Sequence, residues 1–143
     1  MNRFVYVTYI RTTRQKLWEA LTQPEWTERY WFGARQESDW TVGSSWKLSM
    51  PTVGLADSGE VLEVEPGKRL VLSWTNQFMP ELKAEGASRM TYDIEAEGEL
   101  VKLTVTHESE GEKFIAAVSG GWPKILSSLK SLLETGEPLP RPA

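Results

Sequence analysis

His107 is the single histidine of the 143-residue chain. In LTVTHES it falls in phase with Leu103 and Val105, so its ring should point to the same side of a strand as those apolar residues. An imidazole there can be a hydrogen-bonded core or rim residue, or it can orient a ligand or exchange a proton. Glu60, in SGEVLEV, alternates with Leu62 and Val64, which puts its carboxylate on an apolar face where a charge needs a partner. Three readings of Glu60 stand side by side: a rim glutamate that reaches water, a bulge that turns it outward, and a polar anchor inside a ligand cavity. Tyr92 and Trp74 sit on neighbouring strand patterns and could supply donors. A glutamate, a tyrosine and a histidine converging on one ketone could move protons to and from it, although nothing singles that chemistry out. The chain has no G-x-S-x-G elbow, no H-E-x-x-H pair, no glycine-rich phosphate loop and no cysteine. Nucleophilic hydrolysis and thiolate or histidine-rich metal sites are therefore not expected; no residue is assigned as catalytic, and no metal or cofactor is called for.

Larger in number than the titratable candidates are the bulky apolar ones. Seven tryptophans can fill a core or line an aromatic pocket, because large rings serve both kinds of surface. Trp46, Leu48 and Met50 share one face of their segment, as do Leu72 and Trp74, and Met90 and Tyr92, while Trp122, Leu126 and Leu129 share a helical stripe. With Glu60, Leu62 and His107 they form the candidate lining of a ligand cavity, with plain core packing as the alternative. Methionine adapts its shape to different partners, which favours the lining. Trp31-Phe32-Gly33 could gate an opening or plug the end of a sheet.

The formal charge of −4 with no basic run offers no electrostatic footprint for nucleic acid or an anionic membrane. The start, MNRFVYVTYI, alternates like a strand and lacks the apolar stretch of a signal peptide. No apolar run approaches the roughly 20 residues that span a bilayer. With no cysteine, these features lead to the expectation of a cytoplasmic protein, monomer or homodimer, without stable membrane insertion.

The elements that must position these residues follow in order. RFVYVTYI reads as a strand. Thr12 and Gln15 have the spacing of a capping box before a short helix with Leu17, Trp18 and Leu21 on one face, and Thr22 and Glu25 repeat it with Pro24 in the first turn. From residue 34 to 108 the pattern is strands and turns: GSSWKLSM alternates, EVLEVEPGKRLVLSW folds around a Pro66-Gly67 type II turn, and SRMTYDIEAEGELVKLTVTHE folds near Gly98. The polar partners Lys47, Ser49, Arg89, Thr91, Asp93, Lys102 and Thr104 supply a wet face. SGGWPKILSSLKSLLETG is amphipathic, with Ser127, Ser128, Lys130 and Ser131 opposite the apolar stripe, and Phe114, Ala117 and Val118 extend the stripe backward. Gly120, Gly121 and Pro123 predict a break or kink at 119–123, and Gly136 a stop. The fold expected is α+β: six to seven antiparallel strands curved around a long C-terminal helix, with two short helices after the first strand. One domain over 1–136 and a flexible proline-rich tail over 137–143 complete the expectation.

The stretches TRQKLWEALTQPEWTERYW, SGEVLEVEPGKRLVLSW, LTVTHES and GWPKILSSLKSLLETG resemble the START-like superfamily, also called SRPBCC. Within it they are most similar to the family named after the activator of the heat-shock-protein-ninety ATPase, over roughly residues 4–135. The resemblance implies a helix-grip fold whose cavity, between sheet and last helix, takes lipids, sterols, polyketides or other hydrophobic molecules across the superfamily. It also implies two alternatives: a heat-shock chaperone as partner, or a cofactorless cyclase or dehydratase using groups such as Glu60, Tyr92 and His107.

Overall fold

The computed structural model describes residues 1–141. Its elements are β1 (Asn2–Ile10), α1 (Arg14–Thr22), α2 (Pro24–Tyr30), β2 (Arg35–Ser38), β3 (Ser45–Met50), β4 (Gly54–Glu65), β5 (Arg69–Asn76), α3 (Pro80–Lys83), β6 (Ser88–Glu97), β7 (Leu100–Ser109) and α4 (Glu112–Thr135). The strands form one seven-stranded sheet in the order β1-β7-β6-β5-β4-β3-β2, antiparallel throughout. α4 packs on β1 and β7, with α2 and α3 against it. This is the α+β helix-grip architecture. The sheet's inner face carries Trp46, Leu48, Leu70, Leu72, Met90, Tyr92, Leu103 and Val105, all buried against α4 or the two short helices.

Local chemistry sets the turns. Lys68 N–H donates to the Glu65 carbonyl at 2.9 Å and Gly67 has φ +78, the type II arrangement that Pro66-Gly67 favours. In the last hairpin Glu97 pairs with Leu100, and Gly98 takes φ +62. That is the positive φ a two-residue hairpin loop needs at its first position.

The helix starts shift from their expected places. Thr13, not Thr12, caps α1, its side chain accepting from Lys16 N–H at 3.1 Å. Thr22 does not cap α2. It is the last residue of α1, and its hydroxyl donates back to the Trp18 carbonyl at 2.7 Å, a bond that competes with capping. Gln23 is the N-cap of α2 and makes no side-chain capping bond, and Pro24 follows it as the first helical residue.

α4 also departs from expectation, because it runs unbroken from Glu112 to Thr135 with Pro123 inside it. Phe114, Trp122, Leu126, Leu129 and Leu132 are all buried, so the apolar stripe keeps one phase across Gly120 and Gly121. Burial of that stripe outweighs the local propensity cost of the glycines and proline. The start of α4 lacks a side-chain cap from its own N-cap, Gly111. Instead the Glu85 carboxylate accepts from Lys113 N–H at 3.1 Å and Phe114 N–H at 2.9 Å, placing negative charge at the positive end of the helix. Gly136, at φ +87, ends the helix with its N–H on the Leu132 carbonyl. Ser128 is buried rather than solvated, and its hydroxyl accepts from Leu139 N–H at 3.1 Å. Thr91, expected on the wet face, is likewise buried.

Candidate functional site

β4 decides which carboxylate enters the covered space. Its register against β5 shifts between Val61 and Glu63, and the Glu60 N–H donates to the Ser73 hydroxyl at 2.9 Å rather than joining the ladder. Because side chains alternate with period 2, such a bulge exchanges the faces on either side of it. Below the shift Asp57 and Val61 are buried and Glu60 is exposed; above it Glu63 and Glu65 are exposed while Leu62 and Val64 are half-buried. Glu60 is thus turned to solvent, the second of its three sequence readings, and Asp57 takes the inward position. Gly59, opposite Trp46, lets β4 and β5 approach: a Cβ there would lie 1.8 Å from the Ser73 carbonyl oxygen.

Asp57 lines a cleft of about 200 Å³ between the sheet and the first half of α4. Its walls are Trp31, Leu48, Met50, Trp74, Leu82, Phe114, Val118 and Trp122, and Phe78 and Met79 stand at it from the β5–α3 connection. Phe78 is 43% exposed and Met79 36% exposed, so the mouth is apolar. Apart from the indole N–H groups, its polar side chains are those of Asp57 and Asn76. Asn76 Nδ2 donates to Asp57 Oδ1 at 3.2 Å, and Met79 N–H donates to Asn76 Oδ1 at 2.9 Å. Burial pushes the Asp57 carboxyl up from 3.8 to about 6, against hydrogen bonds from Trp74 and Asn76 that pull it down. Desolvation of the carboxylate therefore dominates its environment.

Behind the cleft the tryptophans interlock. Trp46 and Trp74 have ring centroids 4.4 Å apart, Trp31 and Trp122 5.4 Å, and Trp74 and Trp122 5.8 Å. His107, with no exposed surface, joins this cluster to two strands. Trp122 Nε1–H donates to His107 Nδ1 at 3.1 Å. An indole nitrogen can only donate, so Nδ1 accepts and the ring proton sits on Nε2. Nε2 then donates to the Ser88 hydroxyl at 2.8 Å, which donates to the Trp74 carbonyl at 2.9 Å. Every polar atom of the imidazole is used internally. Burial lowers its pKa from 6.5 to about 3, which keeps it neutral.

The residues singled out in the sequence divide accordingly. Trp31, Leu48, Met50, Trp74 and Trp122 line the cleft. Trp46, Leu72, Met90, Tyr92, His107, Leu126 and Leu129 are buried in the core behind it and do not line it. Leu62 is half-buried and Glu60 exposed, so Glu60, Tyr92 and His107 do not converge on one space. Burial also raises the Tyr92 hydroxyl well above its ordinary range, away from proton exchange near neutral pH. The Trp31-Phe32 gate splits: Trp31 is buried on the cleft wall, whereas Phe32, at φ +52, faces a separate groove beside Pro123 and Leu139. Sequence reasoning missed Asp57, Asn76, Phe78, Met79 and Leu82. For Asn76, Phe78, Met79 and Leu82 the signal was present in NQFMPELK: apolar letters in a polar connection, with Pro80 marking a helix start; Asp57 carried none. Among the described residues no group of three or more carboxylate, imidazole or thiol side chains is placed to hold a metal ion, and no helix is long and apolar enough to cross a membrane.

Comparison with known proteins agrees with this geometry. Among solved structures, protein MLL2253 from Mesorhizobium loti is 25% identical, with 92% of this chain and 96% of that one covered at a TM-score of 0.79. The Aha1 dimer from Colwellia psychrerythraea is 21% identical over 95% of this chain and 98% of that one, at a TM-score of 0.77. CalU16 from Micromonospora echinospora is 20% identical over 94% and 77%, at a TM-score of 0.75. At such identities the likeness is one of fold. No curated protein matches by sequence. The family model described as Activator of Hsp90 ATPase homolog 1-like protein matches residues 11–134, nearly the whole helix-grip unit, and the chain belongs to that family of the START-like (SRPBCC) superfamily.

Proposed function

We propose that the chain binds a small hydrophobic or amphipathic molecule in the cleft between the sheet and α4. The observation that carries this reading is the apolar cleft of about 200 Å³ with its exposed aromatic and thioether mouth. Exposed apolar surface at the rim of a concavity marks a site that gains by being covered. Size narrows the occupant. Drug-sized ligands occupy pockets of roughly 300–1,000 Å³, whereas an apolar cavity of about 150 Å³ holds benzene. The cleft fits a molecule of one or two rings or a short chain, and a sterol or two-chain lipid would require it to open.

Trp31, Trp74 and Trp122 on its wall make intrinsic fluorescence a direct readout. Titration with 2-phenylethanol and 2-naphthol should perturb that emission saturably. Gly121→Leu should abolish the response, since Gly121 lines the cleft and a Cβ there meets no atom within 4 Å. No saturable response to either probe, or an undiminished one in the folded Gly121→Leu variant, rejects the reading.

A second reading follows the family's description: association with a heat-shock chaperone through the outer surface. The exposed row Val5, Val7 and Tyr9 along edge strand β1 supports it, because an apolar, unpaired strand edge is a pairing surface. Co-purification with a heat-shock ATPase and a change in its ATP turnover test it, and absence of both removes it.

A further inference from the structure

Asp57 is the one ionisable group among the residues that line the cleft, and it is only 8% exposed. A carboxylate removed from water is held by a cation or by several strong donors. Here the partners are neutral: the Asn76 amide and the Trp74 side chain. Among the described residues, no ion pair involves Asp57. Asn76 is fixed in this role because Met79 N–H occupies its Oδ1, leaving only Nδ2 to face the carboxylate. An ionised carboxylate offers about four acceptor positions, more than these neighbours fill. The cleft therefore combines apolar walls, aromatic rings and an under-neutralised anion.

We propose that Asp57 is the polar anchor of the cleft and that its ligands are small organic amines, protonated, whose apolar body packs among Trp31, Trp74 and Trp122. An ammonium group supplies the missing charge and up to three donors at once. Tryptophan faces beside it add attraction for the same cation. A neutral alcohol supplies one donor and no charge; a carboxylate of the same shape is repelled by Asp57. The inference rests on the cleft being a binding site.

The test uses three probes of one shape, 2-phenylethylamine, 2-phenylethanol and 3-phenylpropanoate, titrated calorimetrically and by tryptophan fluorescence at pH 7.5. They are applied to the wild-type chain, to Asp57→Asn and to Gly121→Leu. The amine should bind at least about tenfold more tightly than the alcohol, and the acid should not bind measurably. Asp57→Asn should bring amine and alcohol to within about twofold of each other, while Gly121→Leu removes both. If the alcohol binds as well as the amine and Gly121→Leu still removes it, the cleft is a site and the amine preference is wrong. An amine preference that persists in Asp57→Asn also overturns the assignment. If no probe binds the wild-type chain, both the cleft and its selectivity are rejected.

Discussion

The indole N–H of Trp122 donates to Nδ1 of His107 across 3.1 Å, a buried polar tie between the helix that closes the sheet and the sheet itself. Trp122 belongs to α4 and His107 to β7, and the chain of donors continues through Ser88 on β6 to the Trp74 carbonyl on β5. The cleft wall formed by Trp74 and Trp122 thus stands on a polar network buried behind it. Protonation of His107 would put a hydrogen on Nδ1 and set two donors against each other.

Acid should therefore loosen this junction. The His107 pKa is lowered from 6.5 to about 3 by burial, so the folded state binds fewer protons than the unfolded one between those values. Its contribution is complete above pH 6.5 and falls as pH drops toward 3, by up to about 1.4 kcal/mol per pH unit. His107→Gln, which can accept from Trp122 and donate to Ser88 without titrating, should flatten that loss. Urea unfolding at pH 7 and pH 4.5 checks it; equal acid losses in variant and wild type would refute the neutral, network-bound imidazole. His107→Phe should cost about 1–3 kcal/mol at pH 7, because it strands the Trp122 and Ser88 groups.

Asp57 acts in the opposite sense. Its pKa is raised from 3.8 to about 6, so the folded state binds more protons than the unfolded one in that window. The resulting penalty is absent below pH 3.8, grows as pH rises, and is complete above about pH 6. Asp57→Asn should raise stability at pH 7 by about 1–3 kcal/mol and change it little at pH 4. Paired denaturation curves at the two pH values decide it; a variant less stable than wild type at pH 7 would show that the carboxylate is better compensated than its neutral neighbours allow.

Two kinds of glycine should respond oppositely to alanine. A Cβ on Gly59 would lie 1.8 Å from the Ser73 carbonyl oxygen, whereas one on Gly120 meets nothing within 4 Å. Gly59→Ala forces the β4–β5 bulge apart and should destabilise by more than about 2 kcal/mol. Gly120→Ala, in a continuous helix, should stabilise by about 0.5–1 kcal/mol. Thermal melts of the two variants check both signs.

Strands, hairpins and the amphipathic helix were legible because they are written in short-range periodicity. Pro66-Gly67 and Gly98 mark their turns, and the Trp46-Leu48 and Met90-Tyr92 alternations mark the buried face. Glu60 and Asp57 were not legible. A one-residue register shift at Val61–Glu63 exchanges their faces, and the shift arises from pairing with β5 and the contact at Ser73, which no local pattern encodes. The break expected at 119–123 does not occur, for a related reason: propensity is local, and the burial that overrides it is tertiary. His107 was placed on the correct face, but its bond to Trp122 depends on how helix and sheet meet.

The mouth of the cleft separates binding from stability. Phe78 is 43% exposed and lies outside the buried core, in a connection whose backbone is tied down by Gln77 N–H on the Ala56 carbonyl at 2.7 Å. Replacing its ring should leave folding almost unchanged, within about 0.5 kcal/mol. If the cleft binds as proposed, the same ring would cover one side of the occupant, and losing that contact area should weaken binding of 2-phenylethanol or 2-phenylethylamine by about three- to tenfold. Phe78→Ser, measured by thermal melt and by fluorescence titration, reads the two effects independently. A variant with wild-type affinity would place the entrance elsewhere on the cleft. A variant that loses stability and affinity together would make Phe78 a packing residue rather than part of the mouth.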